Sequence, residues 1–190
     1  MTLLETIKET QENLRAHPDQ AVTVFSAASR QVEGLRSETT MRQFCLTIDE
    51  PPALGGTDAG PNPVELVLAA LASCQEITYR AYATALGIPL DSVSVKLDGN
   101  LDLRGFFAVK DDVRSGFSGI LGTVTLKSSA PPEELTKLKA VVDAHCPGLG
   151  HVAESRASRL AACQQFSRCC SGITGDAIGS NARPILGTPH

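Results

Sequence analysis

Apolar positions recur at helical spacing from the start of the chain. Leu3, Leu4, Ile7 and Leu14 fall on one stripe, which predicts a surface helix over residues 2–15 ending before His17-Pro18. Val22, Thr23 and Val24 predict a strand over 21–27, since β-branched side chains suit a pleated surface. A second strand is expected over 42–48, with Phe44, Leu46 and Ile48 alternating toward one face and Cys45 toward the other. Residues 51–61 form a Pro/Gly-rich loop, where Gly55-Gly56 and Gly60-Pro61 are turn signals. Asn62 suits an N-cap, and Pro63 suits the first helical position, where its missing N–H costs nothing.

The helix that starts there should run to about Leu86 and stop at Gly87, with Pro89 just beyond. It would be about 36 Å long at the usual rise per residue. Its first half is apolar on nearly every face, as in a helix surrounded by protein. One domain has limited means to surround so long a helix, so a dimer interface is the natural supplement.

Val93, Val95, Leu97, Leu101 and Leu103 alternate along a long strand interrupted at Gly99, and residues 120–127 form its hairpin partner, with Val124 and Leu126 inward. Between them, residues 104–114 read as irregular. A second core helix opens at Pro131-Pro132-Glu133-Glu134, where proline is tolerated and carboxylates suit the positive helix end. Leu135, Leu138, Val141 and Val142 form its buried stripe, and Pro147 ends it just after Cys146. Strands, helix, strands, helix describe an α+β fold.

Bulk properties narrow the function. A chain of 190 residues suits one domain with a real core, and 42% hydrophobic with 20% charged residues is ordinary for a globular protein. A net charge of −4 with no basic block offers no footprint for nucleic acid or an anionic membrane. The amino terminus is charged and amphipathic, not a signal peptide, and the apolar run from Leu66 to Ala72 is too short to span a bilayer. A cytoplasmic location is expected, where the six cysteines would stay reduced and any disulfide would be transient and catalytic.

Two of those cysteines sit on the predicted core helices: Cys74 in Ala72-Ser73-Cys74-Gln75 and Cys146 in Ala144-His145-Cys146-Pro147. A peroxidase thiol must ionise and admit a small oxidant; its sulfenic acid then condenses with a second thiol. Cys146 at a helix carboxyl end faces a negative macrodipole, so Cys74 is the better candidate to attack and Cys146 to resolve. Two buried structural cysteines are the alternative, because free cysteine often packs as a small hydrophobe.

The segment from Gly55-Gly56 through Asn62-Pro63 to Ser73-Cys74, followed by His145-Cys146-Pro147, resembles the OsmC/Ohr family over roughly residues 20–147. The resemblance implies an OsmC-like fold: an antiparallel sheet packed on two long central helices in an intertwined homodimer with active sites at the subunit boundary. It implies reduction of organic hydroperoxides to alcohols, with Cys74 peroxidatic, Cys146 resolving, and a dithiol such as a lipoylated protein as reductant. No cofactor is expected. The family's Glu after Asn-Pro, which orients an Arg beside the thiolate, is Val64 here. Glu65 is out of phase with Cys74 and suits the first helical turn instead. The family's Arg maps onto Arg30, with Arg36 as runner-up; a solvated strand-end charge is the other reading of either. A non-catalytic OsmC-like dimer that binds a hydrophobic ligand or partner is the alternative function, favoured by the missing Glu and opposed by the retained Cys146.

The chain thus divides into an N-terminal helix (1–19), an OsmC-like domain (20–150) and an atypical tail (151–190) expected to be poorly ordered. In one branch of the family a strand resembling Leu-Asp-Thr-Leu-Arg-Asn-Pro follows the Cys-Pro. Codons for that segment read two bases later give Gly-His-Val-Ala-Glu-Ser, which is 150–155 here, so the tail reads as an out-of-frame translation that has lost an edge strand. Cys163, Cys169 and Cys170 lack paired Cys-x-x-Cys spacing, so no metal site is expected, and His151 and His190 read as solvated. Gly55-Gly56 and Gly60 are not a phosphate loop, because no Lys-Ser/Thr follows. Phe106 and Phe107 suit hairpin packing, or else the cap of a hydrophobic substrate channel.

Overall fold

A computed structural model describes residues 1–154 and 160–167, with side chains through Val152. The chain divides into two compact units, one of residues 8–69 and one of residues 1–7 with 70 onward.

The amino-terminal stripe forms α1 (Leu3–Ala16), with no buried residue. The strand expected over 21–27 does not form: Val22, Val24 and Phe25 stand exposed in irregular backbone. The first strand is β1 (Ala28–Glu33) instead, turning at Gly34, whose positive φ of 55° suits glycine, into β2 (Arg36–Met41) and then β3 (Phe44–Ile48). These make an antiparallel sheet in the order β1-β2-β3. The side chains of β1 and β2 are mostly polar, so backbone pairing and turn geometry, not amphipathic alternation, build this part of the sheet, while β3 is mostly apolar.

The loop after β3 wraps around one carboxylate. Asp49, 1% exposed, accepts from the backbone N–H of Glu50 (2.8 Å), Thr57 (2.9 Å) and Ala59 (3.2 Å), and from the Thr57 hydroxyl (2.6 Å). The Thr57 hydroxyl foremost, then these N–H groups, hold its carboxyl far below the usual carboxylate range against the opposing effect of burial. The loop is drawn so tight that a Cβ on Gly56 would lie 1.8 Å from the Glu50 carbonyl oxygen.

The long helix is α2 (Pro63–Leu86), within a residue of the expected bounds, and Gly87 follows it at φ 69°. Its start is a reciprocal capping box: the Val64 N–H donates to Asn62 Oδ1 (2.8 Å) and the Asn62 N–H to Glu65 Oε2 (2.9 Å). In the larger unit β4 (Ser92–Leu101) pairs antiparallel with β5 (Phe117–Lys127). Gly99 does not interrupt β4; it pairs with Ile120, and the Phe117 ring occupies the space a side chain would need. The excursion between the strands holds a short helix, α3 (Leu103–Phe106), capped by Asp102, which also binds the Arg104 guanidinium. That bond, foremost, lowers the Asp102 carboxyl to about 2.

The second core helix is α4 (Pro132–His145). Its Leu135, Leu138 and Val142 are buried with Tyr79 and Ala83 of α2 and Val124 and Leu126 of β5 in one core, while Val141 is only half-buried. α4 ends at the Cys146 cap, just before Pro147, as expected, and Pro147 then starts a further helix, α5 (Pro147–Glu154), which crosses the boundary expected at residue 150. Where the edge strand was expected to be lost, after the Cys146-Pro147 pair, the backbone continues as α5, and a later backbone strand, β6 (Leu160–Ser167), runs parallel to β5, so this sheet is mixed and not wholly antiparallel. Residues 155–159 and 168–190, with Cys169, Cys170 and His190, lie outside the described residues, as does the Cys163 side chain. Among the described residues no helix is long and apolar enough to cross a membrane.

Candidate functional site

Cys74 lies in the middle of α2, half-buried, on the side that carries buried Leu71 and Thr78. Cys146 occupies the joint between two helices. Its N–H makes the last bond of α4, to the Val142 carbonyl (2.9 Å), and its extended φ/ψ of −76°/115° turns the chain away. Pro147 can then open α5, because the first helical position needs no N–H. Cys146 is therefore both the carboxyl cap of one helix and the residue at the head of the next.

This joint brings the two sulfurs within 3.6 Å, the Cys146 thiol donating to Cys74 Sγ. Both are free thiols. The Gly148 N–H also donates to Cys74 Sγ (3.3 Å), and the Leu149 N–H bonds to Cys146. The open N–H groups that begin α5 are thus divided between the two sulfurs. Gly148 is close-packed: a Cβ there would lie 3.2 Å from Cys74 Cβ and from Leu71 Cδ1. Cys146 is 3% exposed, and burial pushes its thiol up, aided by its bond to Cys74 and opposed by the Leu149 N–H and the Thr78 hydroxyl. The negative end of α4 is accordingly only part of its surroundings, because the positive end of α5 faces it as well.

Arg30 lies on β1, directly across from Glu38 of β2, and the two side chains form an ion pair. Glu38, not a residue of the Asn62-Pro63 turn, is the carboxylate that holds this guanidinium. Arg36 pairs with Glu33 (3.0 Å). Val64 and Glu65 belong to the first turn of α2, where Glu65 serves the cap as expected. Phe106 and Phe107 pack edge to face, centroids 5.0 Å apart, and both are exposed. His145 stacks on Tyr82 (5.5 Å). Among the described residues no group of three His, Cys, Asp or Glu is placed to hold a metal ion.

Thr78 and Leu149 were not singled out from sequence. Thr78, one turn beyond Cys74, could have been found from its i+4 spacing. Leu149 could not, since α5 was not foreseen, and Glu38 depended on a strand pairing that the polar β1 and β2 concealed.

Solved structures share this fold at low identity. An OsmC-like protein from Mycoplasma pneumoniae matches at TM-score 0.67 and 17% identity, over 76% of this chain and 97% of its own. An organic hydroperoxide resistance protein from Legionella pneumophila matches at TM-score 0.58 and 23% identity, over 76% and 98%. Another organic hydroperoxide resistance protein, from Elizabethkingia anophelis, matches at TM-score 0.58 and 14% identity, over 78% and 99%. No curated protein matches the sequence. The family model described as OsmC-like protein matches residues 56–156, more than half of the chain and inclusive of both cysteines, and on that match the chain belongs to the OsmC-like family.

Proposed function

We propose that this protein is a thiol-dependent peroxidase that reduces organic hydroperoxides to alcohols. The observation that carries the reading is the 3.6 Å separation of the Cys74 and Cys146 sulfurs, which need to close only to about 2.05 Å to form a bond. Cys74 as thiolate attacks the terminal peroxide oxygen; the O–O bond breaks, Cys74 becomes a sulfenic acid, and the departing alkoxide takes a proton to become the alcohol. Cys146 then displaces hydroxide from Cys74, giving the disulfide and water, and an external dithiol, such as a lipoylated protein, restores both thiols.

The direction of this assignment has support in the local bonding. Negative charge on Cys74 Sγ meets the Gly148 N–H and the Cys146 S–H, and its half-buried position leaves an approach for a small oxidant, whereas Cys146 is closed off. The exposed Val64, Val67 and Ile77 on α2, the last 70% accessible, support a homodimer that covers this helix. Arg30 is the proposed cation of the site.

The replacement of the family's Glu by Val64 favours a second reading, a non-catalytic dimer that binds a hydrophobic ligand or partner. Titrating thiols before and after one equivalent of an alkyl hydroperoxide separates the two. The enzyme loses two thiols per chain, and Cys74→Ser abolishes the loss; a binder loses none.

A further inference from the structure

The proposed cycle leaves a disulfide that an external dithiol must reach, yet Cys146 is 3% exposed in the dithiol form. Reduction begins when a thiolate of the reductant attacks one sulfur and the Cys74–Cys146 bond breaks. The reductant's second thiol then displaces that sulfur, so two electrons and two protons pass to the pair. The attacking thiolate needs an open line to the bond, so some element around the pair must move. α2 and α4 supply Leu71, Tyr79, Leu138 and Val142 to the buried interior, and moving them dismantles it. α5 is different. It has eight residues, fewer than the roughly 12 that an isolated helix needs in water, and two of them are glycines. From Pro147 to Val152 no residue is fully buried. Its head is tied to the thiol region by the Gly148 N–H on Cys74 Sγ (3.3 Å) and the Gly150 N–H on the Cys146 carbonyl (3.1 Å). Gly148 sits so close that a Cβ would lie 3.2 Å from both Cys74 Cβ and Leu71 Cδ1, so this head covers one side of Cys74.

We propose that α5 is a redox-controlled gate: disulfide formation releases its head from Cys74 and opens the pair to the reductant. The proposal rests on the peroxidase reading. Closing the sulfurs from 3.6 Å to about 2.05 Å draws Cys146, which is bonded to Pro147, toward α2. The same step makes Cys74 Sγ a neutral disulfide sulfur, a weaker acceptor for the Gly148 N–H than a thiolate. A short helix with two glycines that loses its anchoring bond opens at that end, while the helices packed in the core stay closed. On reduction the thiols return and the head seats again.

The test uses the full chain with its other four cysteines changed to serine. Diamide forms the disulfide without peroxide, and amide hydrogen exchange is compared in the dithiol and disulfide forms by mass spectrometry. We expect residues 147–154 to exchange about fivefold faster or more in the disulfide form, the loss of one hydrogen bond, while α2 and α4 exchange no faster. Equal or slower exchange over 147–154 overturns the proposal. So does an acceleration shared by α2 and α4, which would be a general loosening. Gly150→Ala gives an independent readout. A Cβ there meets no described atom within 4 Å, and alanine favours the helix over glycine. The gate should then open less often, and dihydrolipoamide should reduce the disulfide about fivefold more slowly than in the parent. An unchanged or faster rate overturns the proposal. Alkyl hydroperoxide in place of diamide tests the peroxidase reading by itself. A parent that forms the disulfide with diamide but not with hydroperoxide ends that reading, while the exchange and reduction rates still decide the role of α5. A parent that forms no disulfide with either oxidant overturns both.

Discussion

Asp49 and Cys146 are almost equally hidden from water, at 1% and 3% exposure, yet their surroundings drive them in opposite directions. The Asp49 carboxylate has four donors aimed at it by a loop that folds around it, and its acidity is strengthened. The Cys146 sulfur has the Leu149 N–H and a hydroxyl that the Cys74 carbonyl shares, and burial prevails. Burial alone therefore predicts nothing about charge; the number of fixed donors does. The carboxylate holds a loop in place permanently. The thiol is kept neutral until chemistry calls for its charge, as suits a group proposed to act second.

The largest expected effect of breaking this contrast is at Asp49. Asp49→Asn turns part of an acceptor-only group toward three N–H groups and a hydroxyl, so the thermal midpoint should fall by more than for any other substitution named here. Its pH signature has a definite sign. Because the folded carboxyl is depressed, its stabilisation is complete above the ordinary aspartate value near 3.9 and is lost as pH falls below it. Urea midpoints at pH 6 and pH 3 should differ more in the parent than in Asp49→Asn; equal differences would show that the carboxylate does not govern the acid limb.

Cys146 should act at the other end of the scale with a smaller effect. Its folded thiol is raised, so stability is complete below the ordinary thiol value, about 8.5, and declines as pH rises through the folded value. Cys146→Ala should flatten the alkaline decline in urea midpoint under reducing conditions. A decline as steep in the variant assigns that limb to other groups.

The smallest effect on stability is expected at the exposed Arg30–Glu38 pair, where the Arg30 side chain is 74% accessible. Arg30→Met should change stability by less than about 1 kcal/mol, since solvent screens such pairs. If Arg30 is the cation of the proposed site, the same variant should oxidise at Cys74 several-fold more slowly with alkyl hydroperoxide, and an unchanged rate would remove it from the site.

The strength of the local sequence signal differs from element to element for physical reasons. α2 and α4 announce themselves through caps and apolar stripes that are local in sequence, and β4 and β5 through alternation with one buried face. β1 and β2 carry Ser29-Arg30-Gln31 against Ser37-Glu38-Thr39, polar on both faces, so no alternation marks them, while the strand-like Val22-Thr23-Val24-Phe25 finds no partner strand among the described residues. α5 begins Pro147-Gly148-Leu149-Gly150, a composition with poor helix propensity. It forms nonetheless, at the point where the two sulfurs meet.

The sequence by itself determined which helices carry the two cysteines and where those helices begin and end. These follow from 3.6-residue periodicity and capping, which act over a few neighbours. Only the tertiary structure decided that the sulfurs lie 3.6 Å apart, that the head of α5 divides its N–H groups between them, and that Glu38 holds Arg30. Those are meetings of residues distant in the chain or on unforeseen elements, and close packing fixes them in a way that no local pattern records.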